Sequence, residues 1–186
     1  MYFTSEQIDE RLQFFSELMS YNAPCFLWTY SPEGDLLSTN CPKTVLNRFF
    51  QNCGCYQYMM EHSKVSKSPL LMSGAMGLLW GAVFEHQNDQ LERIHVLGPV
   101  HTQTIDNVNL EQVIWGKIDV RWKPKYNKIM EMLPVISMVM FTHRIMMMQY
   151  CLTNDRILLS DIAMQNEPDD ASLLAIEHDE GVYADR

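Results

Sequence analysis

The chain has 186 residues, 47% of them hydrophobic, and a formal net charge of −9 from 14 Lys and Arg set against 23 Asp and Glu. That length and apolar content suit one domain with a real core and are too hydrophobic for a disordered chain. The acidic balance argues against nucleic-acid binding by this chain alone, because phosphate recognition needs clustered Lys and Arg.

In chain order, Thr4–Tyr21 reads as a helix. Thr4 with Gln7 fits a capping box, and Ile8, Leu12, Phe15 and Leu18–Met19 fall on one face. Cys25–Thr39 reads as a hairpin turned at Ser31-Pro32-Glu33-Gly34. Pro42–Asn52 and Cys53–Ser63 are short helices separated near Gly54. Leu70–Met72, Leu78–Glu85 and Leu91–Leu97 are strands; His86–Gln90 turns the chain, and Gly98-Pro99 stops the last strand. Alternation puts Arg93, His95 and Leu97 on one face of that strand and Ile94 and Val96 on the other.

The final third is helical: Asn107–Gly116, Trp122–Leu133 and Val135–Leu152. The last of these carries Ile136, Val139, Met140, His143, Met147 and Tyr150 along one face. It is apolar nearly all round, so it has more than one face to bury. Seven of the 14 Met residues lie between Met130 and Met148. Such a cluster suits an irregular core, an adaptable ligand wall or a helix–helix dimer contact. Arg156–Ile162 is a short apolar element, helix or edge strand. Asp161–Arg186 holds eight of the 23 acidic residues and one basic one, with an apolar piece around Leu173–Ile176. The chain therefore divides into a domain over 1–162 and an acidic linker over 163–186. The expected fold is α+β, a five-stranded antiparallel sheet with flanking helices and a Met-rich C-terminal helix.

Catalytic motifs are missing: there is no G-x-S-x-G, P-loop or G-x-G-x-x-G. Glu85 is the nearest to an isolated carboxylate, and at the end of a strand it is expected to be solvated. Cys53-Gly54-Cys55, with Cys41 and His62 at a distance, has poor zinc spacing and reads as core thiols, so no metal is expected. No motif supports haem ligation by His95, His101 or His143, and no cofactor is expected. Trp28 and Tyr30 share a strand face, as do Trp80, Ala82 and Phe84. Most such aromatics are core, yet a ligand cavity is lined by the same residues with a few polar groups. Trp28, Tyr30, Trp80 and His95 are the candidate ligand-binding residues. An odd count of five Cys and a polar N-terminus fit a reducing cytoplasm, and the apolar run Val135–Phe141 is far shorter than the ~20 residues of a membrane span.

A helix followed by a hairpin is how PAS-type and GAF-type sensor domains often begin. Gly77–Trp80, the acidic-polar turn after it and Ile94-His95-Val96-Leu97-Gly98-Pro99-Val100 resemble the N-terminal sensory region of a group of bacterial AraC-type transcription regulators. Tyr150-Cys151-Leu152-Thr153 and Ser160-Asp161-Ile162 are similar to the same region. The resemblance implies a PAS/GAF-like effector-binding domain, not an enzyme. It implies a homodimer that binds a small-molecule effector between sheet and helices and signals through its C-terminal helix to DNA-binding helix-turn-helix units, of which this chain holds none. A haem-, flavin- or metal-binding sensor or enzyme and a dimerisation module without ligand are the alternatives.

Overall fold

The computed structural model describes residues 3–43, 45–52, 54–73, 78–102, 128 and 131–165. The helices expected at Asn107–Gly116 and over most of Trp122–Leu133 lie outside them. The chain opens with α1 (Ser5–Ser20), in which the Thr4 hydroxyl accepts from the Gln7 backbone and Gln7 answers the Thr4 backbone, the capping box expected from sequence. The hairpin β1 (Leu27–Tyr30) and β2 (Leu36–Thr39) follows. Then come α2 (Val45–Asn52) and α3 (Cys55–Val65), separated at Gly54. Strands β3 (Leu70–Ser73), β4 (Leu78–Gln87) and β5 (Gln90–His101) lead to the long helix α4 (Met138–Thr153). A short 3-10 turn at Leu159–Asp161 and β6 (Ala163–Met164) complete the described chain. No helix among the described residues is long and apolar enough to cross a membrane.

The molecule is α+β, and the sheet order is β2-β1-β5-β4-β3-β6. The first five strands pair antiparallel as expected. The sixth is a correction: β6 runs parallel to β3, with Ala163 opposite Leu70, so the sheet is mixed. A two-residue strand carries too little alternation to be read from sequence.

The central hairpin is longer than its sequence suggests. Asn88 and Asp89 both have positive φ, at 48° and 64°, as a tight hairpin turn requires, and Gln87 pairs with Gln90. At the other end Gly98-Pro99 does not stop β5. Gly98 takes φ of 126°, and a side chain there would stand 2.7 Å from the Leu79 carbonyl. The ladder shifts register beside it and continues to His101, whose backbone bonds to residues 134 and 136.

Those bonds also move the start of the last helix. Val135 bridges His101 in parallel, and the Ser137 hydroxyl accepts from Met140 N as the N-cap, so residues 135–137 are not helical.

Alternation splits the core into two layers. Trp28, Tyr30, Trp80, Ile94 and Val96 face α2 and α3, packed with Leu46, Phe50 and Met59. Leu71, Leu79, Val83 and Leu97 face α1 and α4, packed with Ile8, Phe15, Phe141 and Ile145. Helix α4 lies close on β4 at Gly81, where an added Cβ would come within 2.5 Å of Ile145 Cγ1. Gly81→Ala is expected to cost about 1–3 kcal/mol by overpacking. In Gly81→Ala/Ile145→Ala the two costs should fall short of their sum, because the clashing atoms are gone. A urea double-mutant cycle measures this, and strict additivity would show that α4 does not press on Gly81.

Candidate functional site

Three places on this scaffold hold chemistry. The first is a buried polar cluster on the α1 side of the sheet. Glu85 is 1% exposed, not solvated as its strand-end position suggested, because β4 runs on to Gln87 and the first turn of α1 covers it. Its carboxylate accepts from Ser5 Oγ at 2.6 Å, Arg93 Nε at 2.7 Å and His95 Nε2 at 2.8 Å. Arg93 also donates to Asp9 at 2.7 Å and to the Ser5 carbonyl. Burial would raise the Glu85 pKa, but the bonds from His95, Arg93 and Ser5 outweigh it and hold the carboxyl down to about 2.

Burial pushes His95 the other way, below its ordinary value, against the pull of Glu85. His95 is therefore the neutral imidazole. It gives its Nε2 proton to Glu85 and accepts at Nδ1 from the Thr29 hydroxyl, 3.1 Å away. Both ring nitrogens are occupied. The cluster pins α1 to the sheet and offers a ligand no open valence at His95.

The second place is a cavity of ≈330 Å³ at the end of the β4–β5 hairpin, walled by Phe3, Lys67, Glu85, Gln87, Gln149 and Asp155 among others. Lys67 and Asp89 close part of its rim as a 2.7 Å ion pair. Gln149 Oε1 is buried there without a partner among the described residues.

The third is a groove of ≈680 Å³ between α1 and α4. Phe14, Leu18 and Met147, exposed by 62%, 48% and 47%, form its apolar surface. These follow from helical spacing: Arg11, Phe14 and Leu18 rise along α1 beside His143, Met147 and Tyr150 on α4. The α4 stripe singled out from sequence, with Val139, Met140 and Met147, is thus the outer one. The buried stripe is Phe141, Ile145, Met148 and Leu152. A helix apolar all round does not reveal in its sequence which stripe meets the sheet.

Arg11 is held at the groove by donating to the Cys151 and Tyr150 carbonyls at 2.7 and 3.0 Å, at the negative end of α4. Its guanidinium also stacks 4.3 Å from the Phe3 ring. Arg156 stands on the same groove. Among the described residues neither arginine makes an ion pair.

Comparison of the chain with protein-family models, with curated proteins and with solved structures found no match.

The four residues singled out from sequence do not come together. Trp28, Tyr30 and Trp80 share the α2/α3 layer, where the Phe50 ring lies 5.4 Å from Trp80 and 6.0 Å from Tyr30. Trp28 Nε1 donates to the Gly98 carbonyl and the Tyr30 hydroxyl to Asn47. His95 is on the opposite face, because Thr29, its partner on β1, points away from Trp28 and Tyr30. Cys55 is buried with its thiol on Gln165, and Cys53 lies outside the described residues. Among the described residues no three His, Cys, Asp or Glu gather as a metal site.

Arg11 and Arg144 were missed by sequence reasoning, and Glu85 was singled out but read as a solvated strand end. Arg144, buried in the middle of α4, donates to the carbonyls of Asn22 and Ala23 and to Cys25 Sγ, tying the end of α1 to α4. A lone Arg inside an apolar helix was the available signal. For Glu85 the signal was its place across the hairpin from Arg93, which shares a face of its strand with His95.

Proposed function

We propose that this chain is a ligand-sensing regulatory domain that binds an apolar molecule carrying an acidic group in the α1–α4 groove. The observation that carries this reading is the groove itself, an apolar surface of a size suited to small ligands, edged by Arg11, Arg156 and His143. A molecule seated there touches the first and last long helices at once, so it can favour one arrangement of α4 over another. The PAS/GAF-like reading draws support from five antiparallel strands ordered β2-β1-β5-β4-β3, with α2 and α3 between the two hairpins. With the AraC-type resemblance, it makes the domain the effector-responsive part of a transcription regulator whose DNA contacts belong to another domain. The effector site moves, in this reading, from the sheet face of Trp28, Tyr30 and Trp80 to the outer face of α1 and α4, because Phe50 already fills the former beside Trp80.

Anilinonaphthalene sulfonate, an apolar anion, tests the reading. It is expected to bind the native protein saturably and to be displaced by decanoate far better than by decanol. Met147→Glu should abolish binding with the fold intact by circular dichroism. Decanoate at ~100 times its Kd should add about 2.7 kcal/mol of stability. Unsaturable binding, or binding unchanged by Met147→Glu, would sink the proposal.

A further inference from the structure

We infer that the acidic segment 166–186 docks in the α1–α4 groove and competes there with the effector; the competition rests on the reading above, the docking does not. The groove joins an apolar floor to cationic edges. Phe14, Leu18 and Met147 are exposed, and Arg11 and Arg156 pair with no carboxylate among the described residues. In a chain of formal net charge −9 this is a place where cations outnumber anions. An occupant that fits must bring an apolar centre between acidic ends.

Segment 166–186 has that composition. Leu173-Leu174-Ala175-Ile176 is apolar, with Asp169-Asp170 before it and Glu177, Asp179 and Glu180 after it. Its apolar centre matches the floor, and its carboxylates match the arginines.

The segment also begins within reach of the groove. Ile157 lines the groove and Ile162 packs in the α1/α4 layer, after which Ala163 packs on the α2/α3 layer and Gln165 accepts from the Cys55 thiol, so the segment starts at the sheet edge between the two layers. Gln165 is tied to the sheet edge by its N–H on the Leu71 carbonyl. Leu173 is eight residues further on. Eight extended residues span up to about 27 Å, against a radius of gyration of about 16 Å for a chain of this length. A tethered segment meets the groove at an effective concentration near ~1 mM, which no free peptide matches at ordinary protein concentrations.

A second copy is the less fitting occupant. Two-fold pairing would set Arg11 and Arg156 of both copies toward each other and bring together two chains of net charge −9.

The test uses the full chain with methyl-labelled Met, read by NMR without any ligand, and anilinonaphthalene sulfonate as the groove probe. Leu173→Asp/Leu174→Asp/Ile176→Asp lies outside the described fold and removes the apolar centre. It is expected to shift the Met146 and Met147 methyl signals and leave that of buried Met59 in place. It should also tighten probe binding at least ~5-fold, the gain expected when a tethered competitor is lost. Arg156→Glu, an exposed change, should release the segment and produce the same methyl shifts. Methyl signals unmoved by both variants would overturn the docking, even if the probe binds well and the groove reading stands. Methyl shifts with no probe binding would keep the docking and sink the effector. Signals that change with protein concentration would give the groove to a second copy and overturn the inference.

Discussion

Glu85→Gln is expected to lower the unfolding free energy by about 3–5 kcal/mol, the usual cost of breaking a buried ionic cluster from one side. The carboxylate serves three donors, Ser5, Arg93 and His95, at 2.6–2.8 Å and at 1% exposure. An amide oxygen can accept from Arg93 and His95, which share one carboxylate oxygen, but a neutral amide cannot balance the Arg93 charge, and its NH₂ group replaces the acceptor that Ser5 Oγ uses. A drop from an ordinary value of 4.5 to about 2 corresponds to about 3 kcal/mol, in line with that loss.

The same shift sets the pH dependence. The folded pKa of Glu85 lies below the unfolded one, so its contribution is complete above pH 4.5 and is lost as pH falls toward 2. His95 is also depressed in the fold, by burial. The unfolded chain therefore takes up that proton first, and stability begins to fall as pH drops through 6.5. Urea titrations of the wild type and of Glu85→Gln should stay separated by a constant gap above pH 5 and converge below about pH 4. A gap that does not narrow in acid would show that the carboxylate is not ionised in the fold.

Trp80→Ala is expected to cost a further class of stability, about 3–5 kcal/mol, through a cavity. Trp80 is 1% exposed, on the sheet face covered by α2, with Phe50 at 5.4 Å and Tyr30 against Phe50 at 6.0 Å. Neighbours that closely packed collapse little into the space left behind. Trp80→Phe should cost less, because most of the ring volume remains. Under conditions where Trp80→Ala is still folded, its binding of anilinonaphthalene sulfonate should match that of the wild type. Lost probe binding with little loss of stability would return the ligand to the Trp80 face, as first read from the sequence.

The two substitutions sit on the two layers of one sheet. Alternation within each strand puts Trp28 with Tyr30 and Arg93 with His95, but it does not relate one strand to another; the sequence reading groups His95 with Trp28, Tyr30 and Trp80, and only the register of β1 on β5 sets it on the opposite face. Local signals also place α1 with its capping box, both hairpins and the break at Gly54. What the sequence does not reveal is who covers what. Glu85 looks like a strand end in water until Ser5, 80 residues earlier, closes over it. Gly98-Pro99 looks like a stop until the bulge beside Leu79 lets β5 continue.

Helix α4 shows the division most clearly. Its apolar residues run around the whole circumference, so periodicity establishes the helix and leaves its orientation open. Gly81, by admitting Ile145 against the sheet, decides that Phe141, Ile145 and Met148 turn inward and His143 and Met147 outward. By itself the sequence determined α1, both hairpins, the faces within each strand and the lack of known catalytic motifs, because those depend on spacing within a few residues. Only the tertiary structure decided that Glu85 is buried, that His95 has no free valence and that the groove lies between α1 and α4. Each of these depends on contacts between segments far apart in the chain, and no local pattern records which distant surface arrives.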